Sequence, residues 1–218
     1  VTQIDARTGE ILQTYEGTEY ANEMLYLDGT LYLSVVEVKG EKLRMMAIDA
    51  DSGRTLWTSQ DTFDGTLVDY YRWTAMRGSI EPAKLDPASN IATDGEILAL
   101  LDGKDVVALD AETGRTRWRA AFPTDPADLS AGNIKSKGNL WVGTLIVSHG
   151  VVLHASPSKL AGFSGETGEL LWEQPKRYIG HLWYAWKDVF VIDDLVWTWT
   201  GDLERGEFKR GNRTHRSV

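Results

Sequence analysis

Cysteine is absent from the 218 residues, which excludes disulfides and thiolate metal sites and leaves the redox compartment unreadable. Long apolar runs are absent too. None approaches the roughly 20 residues a membrane-spanning helix needs, and the opening VTQIDARTGE lacks the basic-then-apolar layout of a signal peptide, as a mature or trimmed domain would. Clustered positive charge is scarce: the net charge is -9, spread over acidic turns such as Asp49-Ala50-Asp51 and Asp193-Asp194. No row of basic residues can neutralise a phosphate backbone, so nucleic acid is not an expected partner. The single basic stretch, Lys209 to Arg216, reads as a solvated tail or strand end rather than an anion site.

What the chain does have is tryptophan: nine, with eight tyrosines and 21 glycines, a mixture that suits short strands, aromatic packing and tight turns. One segment recurs as AIDADSGRTLW (Ala47 to Trp57), ALDAETGRTRW (Ala108 to Trp118) and GFSGETGELLW (Gly162 to Trp172). Each has a small residue six positions before a glycine and a tryptophan four after it. Two copies are degraded. QIDARTGEILQ keeps Asp5 and Gly9 but has Gln13 at the tryptophan position, and TGDLERGEFKR keeps Asp202 and Gly206 but ends at Arg210.

Alternation on both sides of the glycine predicts a β-hairpin closed by an Asp-x-x-Thr-Gly turn. The aspartate accepts backbone amides and the glycine takes positive φ. The tryptophan lies over a neighbouring unit, with Ala47 and Ala108 leaving room for the ring. The glycines at 9, 53, 114, 168 and 206 are spaced 44, 61, 54 and 38 residues apart. That period fits four-stranded propeller blades with insertions. Further strands are expected at Thr30 to Val38, Ile97 to Leu101, Leu145 to Leu153 and Val189 to Ile192, after turns such as Asp28-Gly29, Asp94-Gly95 and His149-Gly150.

The predicted architecture is all-β: a β-propeller of four-stranded antiparallel blades, incomplete, with about three full blades plus two partial ones in a single segment, 1–218. The repeat hairpins fall near 1–15, 44–59, 105–120, 160–174 and 197–210. The stretches 69–90 and 122–139 read as inserted loops, where binding residues are expected sooner than in the repeats.

The string Ala-x-Asp-x-x-Thr-Gly-x-x-x-Trp resembles the tryptophan-docking motif of the pyrroloquinoline-quinone-like propeller family, of the quinoprotein alcohol dehydrogenase-like and BamB-like kind. Ser52 replaces the threonine in one copy. The resemblance implies seven or eight blades in a complete ring, so the missing ones belong to a longer chain or to a second copy that self-associates to complete it. It also implies a periplasmic, lumenal or otherwise extracytoplasmic location. As a guide to function it is poor, because one fold hosts many sites.

A family enzyme would need a catalytic aspartate, carboxylates around calcium, an arginine near the quinone and a tryptophan floor, often with two adjacent cysteines. No such set maps onto this chain, so no catalytic residue, metal ligand or cofactor is predicted. Asp5, Asp49, Asp110 and Asp202 recur in the copies as turn formers, and Gly9, Gly53, Gly114, Gly168, Gly206, Trp57, Trp118 and Trp172 are likewise structural. Asp49 to Gly53 resembles the start of a calcium loop, but Gln60 stands where its glutamate belongs. His149, His154, His181 and His215 lack zinc-like pairing, and Asn212-Arg213-Thr214 reads as a chance glycosylation match.

Two aromatic groups form the candidate binding surface: Tyr70, Tyr71 and Trp73 with Arg72 and Arg77, and His181, Trp183, Tyr184 and Trp186 ahead of LVWTWT. The expected function is a non-catalytic scaffold or module binding a ligand or a protein partner. The alternative is a piece of a quinoprotein oxidoreductase, with pyrroloquinoline quinone and calcium as cofactors and the catalytic residues elsewhere.

Overall fold

The computed structural model describes residues 1–37, 42–65, 90–122, 144–156, 159–175 and 189–198, and all regular structure among them is strand. Three four-stranded antiparallel sheets follow in chain order. Blade I comprises β3 (Ala21–Leu27), β4 (Thr30–Val36), β5 (Leu43–Asp49) and β6 (Thr55–Thr58). Blade II is β7 (Ile91–Thr93), β8 (Ile97–Asp102), β9 (Asp105–Asp110) and β10 (Thr116–Ala121). Blade III is β11 (Thr144–Ser148), β12 (Val151–Ala155), β13 (Lys159–Ser164) and β14 (Leu170–Pro175). A two-stranded sheet flanks them at each side: β1 (Thr2–Ile4) with β2 (Ile11–Thr14), and β15 (Val189–Ile192) with β16 (Leu195–Thr198).

The first strands touch in succession, β3 to β7, β7 to β11 and β11 to β15, so they form the inner rim of a radial array. The repeat hairpins lie at the outer edge. The stretch Leu145 to Leu153, expected as one strand, is two, because His149 and Gly150 both take positive φ and reverse the chain in a two-residue turn. Asp28-Gly29 and Asp193-Asp194 turn in the same way.

The core lies between blades rather than within one. Tyr32, Met45 and Trp57 of blade I pack on Leu98, Leu100 and Leu109 of blade II. Ala99, Val106 and Trp118 of blade II pack on Leu145, Val152 and Phe163 of blade III. Covering on both faces explains why β8, ILALLD, is buried at every residue. By contrast β3 alternates half-buried and exposed residues, and its Met24 and Tyr26 face away from blade II.

The four described repeat turns share one construction. The glycine amide donates to the carbonyl of the first turn residue, Asp5, Asp49, Asp110 or Ser164, at 2.8–2.9 Å. The carboxylate or hydroxyl of that residue accepts the amide three residues on: Thr8 at 2.8 Å, Ser52 at 2.8 Å, Thr113 at 2.8 Å and Thr167 at 3.2 Å. Gly9, Gly53, Gly114 and Gly168 take φ between 69° and 74°.

Past the glycine, the expected alternation is interrupted. Ala47 faces Trp57 while Ile48 faces Thr55, so Leu56 is an extra, bulged residue, and Leu12, Arg117 and Leu171 occupy the same place in the other copies. A bulge bends the strand and re-aims the side chain beyond it. It also explains why Leu12, Leu56 and Leu171 are exposed.

Candidate functional site

Each blade has two ends. The inner turn between its first and second strands and the repeat turn between its third and fourth lie at one end, as Thr30 paired with Asp49 and Ile97 paired with Asp110 show. The connections between blades leave from the other.

The turn end is occupied by blade-to-blade contacts. Trp57 Nε1 donates to Ala111 O at 2.9 Å, and its ring covers Gly114, where a Cβ would fall 2.4 Å from the indole. Trp118 Nε1 donates to Gly165 O at 2.7 Å over Gly168. The accepting residue is tied to its own blade as well: the amides of Ala50, Ala111 and Gly165 donate to Gly29, Glu96 and Gly150 of the inner turns. Every such residue is therefore a node, with its N–H held by its own blade and its carbonyl by the preceding one. In the first copy the Tyr15 hydroxyl donates to Ala50 O at 2.7 Å and Gln13 lies against Gly53, so the two together fill the tryptophan's place. Trp172 lies against Gly162 of its own blade, and Asp202 and Gly206 fall outside the described residues.

The turn carboxylates are absorbed by these hairpins. Hydrogen bonds from the Thr8 amide first, then Arg7, hold Asp5 below the usual carboxylate pKa. Ser52 does so for Asp49, and Arg117 first, then Thr113, for Asp110. None is poised as a general acid near neutral pH.

The opposite end collects the remaining unusual chemistry. Asp102 is buried, accepts the amides of Asp64 at 2.7 Å and Gly65 at 2.9 Å, and takes the Arg119 guanidinium at 2.6 Å. Arg119 reaches Asp105 at 3.1 Å as well, so the clamp fixes where the chain leaves blade I. Glu23, on the inner rim, carries a pKa pushed up to about 7 because burial disfavours its charge, against a hydrogen bond from the Ile91 amide. His154 is fully buried facing blade II, 4.1 Å from the Phe122 ring, and its Nε2 has no hydrogen-bond partner among the described residues. Burial drops its pKa to about 3, so the imidazole is neutral.

Three long connections start and finish at this end, their last described residues being Gly65 and Asn90, Phe122 and Thr144, and Pro175 and Val189. The expected surface residues Tyr70, Tyr71, Arg72, Trp73, Arg77, His181, Trp183, Tyr184 and Trp186 belong to these connections and lie outside the described residues. Sequence reasoning did not find Glu23, Asp102 or the Phe122–His154 pair, none of which sits in a motif. Tyr15 had a signal, an aromatic two residues beyond Gln13 and so on the same side of the strand.

Among the described residues no three His, Asp or Glu side chains come together as a metal site. Trp57 and Trp118 are buried between blades, so neither offers a flat face.

Radially arranged four-stranded antiparallel sheets, joined blade to blade by aromatic side chains over glycine turns, define an incomplete β-propeller of the pyrroloquinoline-quinone-like type. The chain belongs to the family described as outer membrane protein assembly factor BamB, whose model matches residues 1–208. It is 30% identical over 189 residues to the quinoprotein alcohol dehydrogenase PedH of Pseudomonas putida, covering 82% of this chain and 28% of that protein. The dehydrogenase subunit of the quinone-linked alcohol dehydrogenase of Acetobacter aceti is 28% identical over 154 residues, 68% of this chain and 18% of that one. Among solved structures, BamB from Moraxella catarrhalis superposes with a TM-score of 0.53 at 14% identity, covering 87% of this chain and 50% of that chain, a likeness of fold alone. The chain thus spans under a third of the curated relatives it matches.

Proposed function

We propose that the chain is a non-catalytic propeller segment that binds a protein partner or ligand through the connection end of its blades. The carrying observation is the asymmetry between the ends. The turn end is used up where Trp57 and Trp118 cover the glycine turns of the blades that follow them. The connection end holds a carboxyl and an imidazole with displaced pKa values, beneath the endpoints of three long connections. Perturbed titratable groups and long loops on a rigid scaffold are both marks of functional surfaces. Tyr70, Tyr71, Trp73, Trp183 and Trp186 are the contacts we assign, with Arg72 and Arg77 beside them. An extracytoplasmic location accompanies this reading.

The test replaces Tyr70, Tyr71 and Trp73 by serine and compares that variant with the parent in partner capture from an extracytoplasmic extract. The expected result is an unchanged circular dichroism spectrum with loss of the captured species. Retention of every captured species overturns the reading. The identity to PedH favours a second reading, a piece of a quinoprotein oxidoreductase. Tight binding of pyrroloquinoline quinone with calcium, together with dye-linked alcohol oxidation, would establish it in place of the first.

A further inference from the structure

Asp102 is the one buried acid among the described residues, and the turn it opens does not need it. Gly103 and Lys104 close β8 on β9, with Asp102 paired to Asp105 and Gly103 at positive φ. A buried carboxylate is costly unless charge and hydrogen bonds compensate it, so what this one holds gives the reason for its burial. Its Oδ1 accepts the amides of Asp64 and Gly65, and its Oδ2 accepts Arg119 Nη2. Arg119, partly exposed and shared with Asp105, supplies the counter-charge. Asp64 and Gly65 belong to the chain leaving blade I, so the carboxylate holds backbone from outside its own blade.

The departure is a handover between blades. Phe63 is seated on blade I, exchanging backbone hydrogen bonds with Leu43 at 2.7 and 2.9 Å. One residue later Asp64 still pairs its carboxylate with Lys42 beside β5, an exposed contact of small weight, while its amide is already on Asp102. Gly65 is bound to blade II twice, its amide on Asp102 and its carbonyl accepting the Gly103 amide at 3.0 Å. The chain returns to the same turn, where Leu101 donates its amide to Asn90 O at 3.3 Å. Leu101 and Gly103 are two residues apart, so both ends of the 66–89 connection are tied to groups within about 7 Å of each other. Loops that carry binding residues work from a rigid base of this kind.

We propose that Asp102 is a positioning residue of the binding surface assigned above: by gripping Asp64 and Gly65 it makes blade II the base of the 66–89 connection and so governs how Tyr70, Tyr71 and Trp73 are presented. The inference rests on the reading that these three residues make the contact. Without the carboxylate, the departing chain keeps the Lys42 pair and the Gly103–Gly65 bond. The ordering that Asp102 supplies in advance then has to be supplied at the moment of binding, which weakens affinity although every contact residue is still there.

Asp102→Ala removes the grip, and Asp102→Asn keeps one acceptor oxygen for the two amides. Asp105→Ala is the control, because it removes the other partner of Arg119 and touches neither end of the connection. Two readouts are taken on the 218-residue chain, with far-UV circular dichroism to show that the strand signal is kept. Trypsin cuts after Arg72 and Arg77, inside the connection, at a rate that follows how often the connection opens. That rate should rise about tenfold in Asp102→Ala, less in Asp102→Asn, and stay parental in Asp105→Ala. The second readout is the dissociation constant for the purified protein that the parent captures and the Tyr70→Ser, Tyr71→Ser, Trp73→Ser variant loses. It should be about tenfold weaker in Asp102→Ala, partly restored in Asp102→Asn and parental in Asp105→Ala. Parental cutting or parental binding in Asp102→Ala overturns the inference and leaves the reading of the surface standing. So does an equal effect of Asp105→Ala, which would mean that the turn as a whole matters and not its grip on the connection. Should Asp102→Ala lose its strand signal, Asp102→Asn against Asp105→Ala carries the same comparison, and parental values in both overturn the inference. If the serine variant keeps every captured species, the surface reading itself has failed and the inference falls with it.

Discussion

Replacing Trp118 tests whether one indole joins two blades. The side chain is 8% exposed, stacks on Phe163 at 6.4 Å between centroids, and donates to Gly165 O at 2.7 Å. Two effects can be separated. Trp118→Phe keeps most of the apolar contact but leaves the Gly165 carbonyl without its donor, at a cost of about 1–2 kcal/mol. Trp118→Ala adds the loss of the ring and the cavity left over Gly168, which brings the total to about 3–5 kcal/mol. In urea, with an m-value of about 2.5 kcal/mol/M for a domain of this size, the alanine variant should lose about 1.5 M of midpoint and the phenylalanine variant about 0.5 M. Far-UV circular dichroism is the readout, since tryptophan fluorescence changes with the substitution itself. Equal losses in the two variants, or a loss under about 1 kcal/mol in Trp118→Ala, would refute the account of the ring as the main joint between blades II and III.

Tyr15→Phe removes one buried hydroxyl and orphans Ala50 O, so a loss of about 1–2 kcal/mol in the same urea assay is expected, whereas a neutral result would mean that packing alone seats the first hairpin. Gly114→Ala should cost more than Gly103→Ala: both glycines have φ above 60°, but only at Gly114 would the new methyl meet the Trp57 ring, at 2.4 Å, while Gly103 has open space. Buried neutral His154 binds its proton less readily than the unfolded chain does, so between pH 6.5 and about 3 the unfolded state holds more protons and stability falls as pH is lowered. At pH 4.5 the loss is about 2–3 kcal/mol, and His154→Leu should flatten the slope. Glu23 acts with the opposite sign: with its pKa raised to about 7 the folded state holds more protons between pH 4.5 and 7, so stability falls as pH rises there, and Glu23→Gln should remove that decline in a thermal melt.

The repeat was legible because turn chemistry is local. Asp49, Ser52 and Gly53 meet one another within a few residues, and the same spacing at Asp110 and Ser164 announced the same hairpin. Strand pairing followed from the same pattern, as Ala47 opposite Trp57 and Ala108 opposite Trp118 show. What was not legible depends on the blade next door. The bulges at Leu56 and Arg117 break an alternation that the residues alone suggest, because the ring must be turned toward the following blade. Asp102 looks like an ordinary loop acid in the string LDGKD, and only the tertiary structure brings Asp64, Gly65 and Arg119 to it. Burial of His154 depends on Phe122, at the end of the neighbouring blade, whose tilted ring lies 4.1 Å from it.

The joints between blades also have a direction. Trp57 belongs to blade I and its acceptor Ala111 to blade II; Trp118 belongs to blade II and its acceptor Gly165 to blade III; Tyr15 precedes blade I and its acceptor is Ala50. A blade thus presents an aromatic donor on one side and a carbonyl node over a glycine turn on the other. Such a contact is heterologous, so it runs in one sense along the described blades. Directionality also frees the repeats from any need to be identical: a tyrosine two residues later serves where the tryptophan is missing, provided the hydroxyl reaches the same carbonyl. The constraint therefore falls on the node and the glycine, at the turn end, while the connections at the other end can lengthen and change without loosening these joints. Long insertions between blades I and II and between II and III, beside a tight Gly103 turn within blade II, are the pattern that this division of labour predicts.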